Sequence, residues 1–236
     1  MIFRLWHRIF QASAPAVTGL ALALAGVMGI QPVTAQDAGA GFTENFTMAP
    51  AAPWKWIREN RDAWRVGKQG LEVRIEPGNM WGPANDGKNV LVRPVSPPAA
   101  GSLEITATVK NQPTGQYEQT DLVWWFNDSH MIKIGQEMVD GKLSVVMGRE
   151  EKDQTRTMGI YPLATTLVKL RLVVRGDKIS GEYQPGGEGP WLPAGTTTVP
   201  RPAAGGQPHI ALMFYQGTVE APHWSQVSEL KAVPRP

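Results

Sequence analysis

Residues 116–138 place two tryptophans side by side in a run that otherwise alternates like a strand. Trp124 and Trp125 are neighbours in this run. Because neighbouring residues of a strand point to opposite faces, only one of the two rings can enter the core of a sheet. The other ring must meet another layer, a partner or a ligand. An aromatic plane beside hydrogen-bonding groups suits a sugar, since the apolar face of the sugar ring stacks while its hydroxyls are satisfied.

Patterns that would indicate hydrolysis are mostly missing. Sandwich-fold glucanases carry a Glu-x-Asp-x-x-Glu run that puts alternate carboxylates on one face of a strand, and this chain has no such run. It also has no Gly-x-Ser-x-Gly nucleophile elbow. Glu118 with Asp121, or Glu72 with Glu137, could still meet in space as a carboxylate pair. We therefore assign no catalytic residue, favour a non-catalytic role, and keep a glycoside hydrolase as the alternative.

Metal ligands are not indicated either. The histidines His130, His209 and His223 lack the spacing of a metal site. Asn85 and Asp86 could offer oxygens to calcium, but turn composition explains them more simply. We predict no metal and no cofactor.

The first 35 residues have the pattern of an export signal. Arg4 and Arg8 form a basic start, and residues 16–30 are uncharged and largely apolar. Val33-Thr34-Ala35 offers short side chains for signal peptidase. The alternative is a membrane anchor, but about 15 apolar residues fall short of the ~20 that a spanning helix needs. We predict a cleaved signal peptide over residues 1–35 and a periplasmic or secreted protein without a stable membrane anchor.

Composition excludes several classes of protein. The chain has no cysteine, so it has no disulfide framework and no thiol for lipid attachment. Without Arg4 and Arg8, the 23 basic side chains fall to 21, which equals the 21 acidic ones. A nucleic-acid-binding protein would show a basic excess. We predict no nucleic-acid partner.

The apolar period is two from about Leu71 onward, which is typical of strands. Leu103, Ile105, Ala107 and Val109 alternate with polar residues, and turn signals such as Asp140-Gly141 separate such runs. Many short strands with frequent turns indicate an all-β sandwich or barrel. We read Gln184–Gln207, rich in proline and glycine, as a long loop. The sequence predicts one monomeric domain over residues 36–236, with its core at about residues 42–230.

An ordered set of motifs resembles a known family. The motifs are Trp56-Ile57-Arg58-Glu59-Asn60, Met80-Trp81-Gly82, Tyr117-Glu118-Gln119, Asn127-Asp128, Ile132-Lys133-Ile134, Gly181-Glu182-Tyr183 and the run from His209 to Gly217. In this order they resemble the concanavalin-A-like domain at the C-terminus of bacterial family 43 β-xylosidases and its free-standing relatives of unknown function. The resemblance implies a jelly-roll sandwich of two curved antiparallel sheets. It also implies a non-catalytic carbohydrate-binding or accessory module, with a structural or interaction domain as a further alternative.

This fold assigns faces to the central strand. Leu122, Trp124 and Phe126 should face the core, and the residues between them should face outward on the concave sheet. Relatives often have Ala-Gly-Leu after Tyr-Glu-Gln, whereas this chain has Thr120-Asp121-Leu122. The carboxylate in place of the glycine indicates either a changed ligand face or an exposed strand end.

We predict an oligosaccharide ligand on the concave face. By the same alternation, Lys133 and Arg171 should point outward, and Trp81 lies in a loop at the rim. Glu118 should point toward the core on a regular strand, so it can contribute only at a bulge or a strand end. The alternatives are an ion-pair lattice for the charged residues, and packing or plugging roles for the two tryptophans. The predicted ligand-binding set is Trp125, Trp81, Lys133, Arg171, Glu118 and Gln119.

Overall fold

The computed structural model describes residues 41–236, so the predicted signal peptide lies outside the described residues. Within that range the chain forms strands and one short 3-10 turn at Arg61–Ala63. The strands are β1 (Phe42–Glu44), β2 (Lys55–Ile57), β3 (Trp64–Gly67), β4 (Gly70–Arg74), β5 (Val90–Pro94), β6 (Ser102–Lys110), β7 (Gln119–Asn127), β8 (His130–Val139), β9 (Lys142–Glu151), β10 (Gln154–Pro162), β11 (Leu167–Arg175), β12 (Lys178–Pro185), β13 (Leu192–Thr198), β14 (His209–Tyr215) and β15 (Trp224–Arg235). No helix in residues 41–236 is long and apolar enough to span a bilayer.

The strands form two antiparallel sheets. The first sheet has the order β13-β12-β11-β6-β15-β4-β3, with β1 paired to β15. The second sheet has the order β10-β9-β8-β7-β14-β5-β2. This confirms the predicted all-β sandwich, and the arrangement is consistent with a jelly roll.

The main core lies between the two sheets and follows the period of two. From the second sheet, Leu122 and Trp124 on β7 enter it, and both are nearly or fully inaccessible to solvent. Ile105 on β6 and Leu172 on β11 enter it from the first sheet. The predicted core parity of Trp124 is therefore confirmed, and Phe126 packs against the same cluster while staying partly exposed.

A second apolar cluster covers the outer face of the second sheet. The connection between β4 and β5, residues 75–89, brings Met80 onto Val123, Met131 and Met213 of the sheet. We call this connection the covering loop. Strands that are buried on both faces carry near-continuous buried runs, and β8 is buried from His130 to Glu137.

The stretch from Gln184 to Gln207 is not the continuous loop that the sequence predicted. Residues Leu192–Thr198 form β13, which pairs with β12 at the edge of the first sheet. An edge strand needs hydrogen bonds on one side only, so Pro193 is tolerated there. The proline and glycine content concealed this strand.

Candidate functional site

The outer face of the second sheet gathers polar side chains near the start of β7. In the pairing of β7 with β8, Gln119 is opposite Glu137 and Asp121 is opposite Gly135. Lys133 lies opposite Val123 on the same strand pair. Since alternate residues share a face, these side chains all point away from the main core and toward the covering loop.

Lys133 is the centre of this polar cluster. Its side chain is buried, with its Nζ atom 3.0 Å from Glu137 Oε2 and 3.9 Å from Asp121 Oδ2. The same ammonium donates to Gln119 Oε1, and it lies 4.9 Å from the centre of the Trp81 ring. A buried ammonium needs such partners, because leaving it unpaired is very costly.

Asp121 lies below the surface rather than at an exposed strand end. It is fully buried, and burial raises the pKa of its carboxyl to about 7, against the opposing effect of Lys133. The opposite residue on β8 is Gly135, and a Cβ atom added there would collide with the Asp121 carboxyl. The missing side chain of Gly135 therefore makes room for the buried Asp121 carboxyl.

Trp81 is held in place by its own loop and by the sheet. Asn79 Oδ1 accepts from the Trp81 backbone N–H at 3.0 Å, and Asn79 Nδ2 donates to the Trp81 carbonyl at 2.9 Å. Buried Glu150 on β9 accepts from the Gly82 N–H at 3.1 Å. The ring lies over Gly148, where a Cβ atom would overlap the indole. The indole is thus preorganised beside the polar cluster.

A groove opens between Trp81 and the turn that joins β8 to β9. Its volume is about 460 Å³, and its lining includes Trp81, Gln119, Glu137, Tyr117, Thr157 and Ile160. Tyr117 is 50% exposed and Ile160 is 48% exposed, so apolar surface lies at its rim. The groove combines an aromatic wall with hydrogen-bonding groups on the sheet, which is the usual composition of a small-ligand site.

Of the predicted residues, three meet at this groove. Trp81 and Gln119 line it, and Lys133 lies directly behind them. Trp125 is on the same face, as predicted, but it is six residues along β7 from Gln119, or about 20 Å at the rise of a strand. Its ring instead packs edge-on against His209 with a centroid distance of 5.3 Å.

Solved structures with this sandwich include carbohydrate-active enzymes. The GH43 BlXynB protein from Bacillus licheniformis matches with a TM-score of 0.70 at 14% identity, over 82% of this chain and 39% of that one. Xylan beta-1,4-xylosidase from Bacillus halodurans matches with a TM-score of 0.68 at 12% identity, over 81% of this chain and 38% of that one. The chain shares its fold with one part of the GH43 xylosidases. It spans about two fifths of the length of these structures, which is consistent with their C-terminal sandwich domain.

A smaller module has the same architecture. The CBM2 module of the evolved Dit of Lactobacillus casei BL23 phage J-1 matches with a TM-score of 0.54 at 6% identity, over 81% of this chain and 93% of that one. Comparisons with models of protein families and with curated proteins gave no match. The structural matches to the GH43 proteins confirm the predicted resemblance at the level of the fold.

Arg171 does not share a surface with Lys133, so that prediction was wrong. Arg171 lies on β11 of the first sheet, where it pairs with Glu182 and lies 4.0 Å from the centre of the Trp191 ring. The alternation of side chains along a strand predicts which face of its sheet a residue occupies. It does not predict which of the two sheets contains the strand. The outer faces of the two sheets are on opposite sides of the sandwich, so Arg171 belongs to the ion-pair lattice that was the alternative.

Glu118 also lies outside the groove. Its Oε2 atom accepts from the N–H groups of Thr114 and Gly115 at 2.7 and 2.9 Å, and its Oε1 atom lies 2.8 Å from His223 Nε2. The carboxylate therefore fixes the loop before β7. The Oε2 atom of this buried carboxylate also accepts from the Thr114 hydroxyl at 3.1 Å, so the side chain serves the loop and not the groove.

The suggested carboxylate pairs are not formed. Glu72 pairs with Arg65 on the outer face of the first sheet at 2.6 Å, whereas Glu137 is on the second sheet. Glu118 contacts Thr114 and His223, while Asp121 faces Lys133. Among residues 41–236, no three His, Asp or Glu side chains converge as metal ligands.

Sequence reasoning missed the role of Glu137, which lies on the groove and holds Lys133. The signal was present, because residues 133 and 137 are an even number apart on one strand and so share a face. It also missed Glu150, which lies near the end of β9. Glu150 is fully buried, and burial raises the pKa of its carboxyl to about 7 despite the Gly82 N–H.

Stability is expected to fall as pH rises from about 4 to 7. The pKa of the Asp121 carboxyl rises from an ordinary value of 3.8 to about 7 in the folded protein, so in this window the unfolded chain releases a proton that the folded chain keeps. The contribution of the protonated Asp121 carboxyl to the free energy of unfolding is complete below pH 3.8 and is lost as pH rises through 7. From pH 5 to pH 8, Asp121 alone should lower the free energy of unfolding by about 3 kcal/mol.

The substitution Asp121→Asn isolates this effect. The amide has the shape of the carboxylic acid but does not titrate, so the difference in stability between pH 5 and pH 8 should shrink by about the same 3 kcal/mol. Denaturant unfolding at both pH values measures it. Asp140→Asn, in the exposed turn after β8, is the matched control. An unchanged pH dependence in Asp121→Asn would contradict the prediction.

Proposed function

We propose that the protein is a non-catalytic carbohydrate-binding or accessory module whose ligand site is the groove beside Trp81. The observation that carries this proposal is the indole fixed over Gly148, next to a groove of about 460 Å³ with polar groups on its floor. A sugar ring would stack on the indole, and its hydroxyls would meet Glu137 and Gln119. Trp125 is not part of this proposed site because it lies outside the groove.

The comparisons support a carbohydrate ligand but do not identify the sugar. The matched structures include GH43 proteins and a CBM2 module. The groove is shallow, with Tyr117 and Ile160 exposed at its rim. We expect dissociation constants in the micromolar to millimolar range, equivalent to about 4–8 kcal/mol.

A non-catalytic role is favoured over hydrolysis by the state of the carboxylates. Asp121 is fully buried and Glu137 is bound by Lys133. A glycosidase instead needs two carboxyl groups that flank the scissile bond. The carboxylates of this face are arranged to hold the lysine.

We also propose that the protein is exported, on the strength of the sequence of residues 1–35. Cleavage after Ala35 would leave Gln36 as the first residue. Intact Met1 in mass spectra of the protein from its native host would contradict cleavage.

Calorimetric titration with neutral oligosaccharides tests the proposal. Xylotriose, cellotriose and mannotriose present different hydroxyl patterns to the same groove. We expect saturable binding of at least one of them, and no release of reducing ends during the experiment. Absence of saturable binding across a broad glycan panel would refute the proposed function, and reducing ends that disappear in Glu137→Gln would support a hydrolase.

A further inference from the structure

The side chains that line the groove carry negative charge without a cation among them. Glu137 and Asp140 are its charged lining residues, and none of the lining residues is lysine or arginine. Glu137 lies on the floor and Asp140 at the rim, in the turn after β8. A ligand therefore meets acceptors and acidic groups first.

Lys133 cannot offset this charge for a ligand. It is 2% exposed, and an ammonium has three donors. These donors face Glu137 Oε2, Gln119 Oε1 and Asp121 Oδ2. The rings of Trp81 and Tyr215 lie 4.9 and 5.7 Å from the ammonium. The ammonium of this cluster is thus shared between two carboxyl groups and an amide oxygen, and aromatic rings enclose it.

Glu137 keeps one oxygen for a ligand. Its Oε2 atom receives the hydrogen bond from Lys133 at 3.0 Å, while Oε1 has no hydrogen-bond partner within residues 41–236. The side chain is 9% exposed and lines the groove. A carboxylate oxygen accepts strongly from a hydroxyl, but it repels a second carboxylate, most of all where little water screens the two charges.

We infer that this groove selects uncharged saccharides and rejects saccharides that carry a carboxylate, and that Glu137 is the residue that sets this specificity. The inference rests on the proposed function, because it assumes that the groove is the saccharide site. It assigns Lys133 a positioning role, which is to hold Glu137 and Gln119 at the floor, rather than a contact with an acidic sugar.

The test compares two ligands that differ in charge and by one methyl group on each carboxyl. Trigalacturonate and its fully methyl-esterified form have the same sugar backbone, and neutral xylotriose and cellotriose are titrated beside them. For the wild-type protein at pH 7 and low salt, we expect the ester to bind at least about thirtyfold more tightly than the acid, since like charges at an interface are strongly unfavourable.

In the variant Glu137→Gln, the ratio of the affinity for the ester to the affinity for the acid should fall at least about tenfold. The amide keeps the size of the side chain and adds an N–H donor for a carboxylate, and Lys133 keeps its contacts with Gln119 and Asp121. The melting temperature checks that the fold is retained. Glu72→Gln makes the same change of net charge on the opposite sheet, and its ester-to-acid ratio should equal that of the wild type.

Each outcome decides between the two proposals. If acid and ester bind equally well to the wild type, or if neither binds while a neutral trisaccharide does, the inference is overturned and the proposed function stands. A ratio that is unchanged in Glu137→Gln, or changed as much in Glu72→Gln, also overturns it. If none of the four ligands nor a broader neutral panel binds, the proposed function fails, and the inference fails with it.

Discussion

Replacing Trp81 with alanine is expected to weaken saccharide binding at least about tenfold, with little change in the fold. The indole supplies the aromatic wall of the groove, and truncating a central aromatic contact typically costs about 2 kcal/mol or more. The ring belongs to the covering loop and not to the main core between the sheets. The loss should therefore appear in binding more than in unfolding. Calorimetric titration with the neutral ligand identified for the wild type measures it.

Trp125→Ala is the matched control for this experiment. It removes the same side chain from the same face of the second sheet, about 20 Å along β7 from the groove. Binding by this variant should equal that of the wild type, and Trp81→Phe should recover part of the loss because a smaller aromatic face remains. Equal loss of binding in the Trp81 and Trp125 alanine variants would refute the assignment of the site to the groove.

Trp124→Ala is expected to reduce the free energy of unfolding by about 3–5 kcal/mol, the range for deletion of a large buried aromatic. The side chain is 1% exposed and packs in the main core with Leu122 and Ile210. Its removal leaves a cavity between two sheets whose strands are fixed by hydrogen bonds to their neighbours. Such a cavity collapses only in part, so most of the lost packing is not recovered.

Trp125→Ala should cost much less stability, although it removes an identical side chain from the next residue. Trp125 is only half-buried and packs at the edge of the second cluster. Denaturant unfolding of both variants with the wild type gives the difference directly. Similar losses for the two substitutions would show that the outer face contributes as much to stability as the core does.

The period of two was sufficient to predict the class of fold and the opposite roles of neighbouring tryptophans. It fixes which face of a sheet a residue occupies, as Leu122 and Trp124 show. It does not say which sheet a strand joins, because strand order depends on pairings between distant segments. Arg171 has the parity of Lys133 and lies on the other side of the molecule for this reason.

The groove itself was less accessible to sequence reasoning. Trp81 was expected at a rim, but its position depends on Gly148 and Glu150, which are nearly 70 residues away in the chain. Glu118 is adjacent to Gln119, yet its carboxylate is used by loop amides. Residues such as Glu137 acquire their role only when two strands align in register, and the sequence of one strand does not contain that register.

The candidate site has two parts that can change independently in evolution and in engineering, namely a wall on the covering loop and a floor on the sheet. The residues of the loop, 75–89, lie outside the strand ladders, whereas Glu137 and Gln119 belong to them. Substitutions around Asn79 and Trp81 can therefore reshape the wall while the hydrogen-bonded floor stays as it is. Gly148 sets one condition, since any larger residue there would displace the indole, and the Glu150 carboxylate that accepts from the Gly82 N–H sets another. A library confined to the loop, with Gly148 kept, is a direct route to new ligand preferences on the same scaffold.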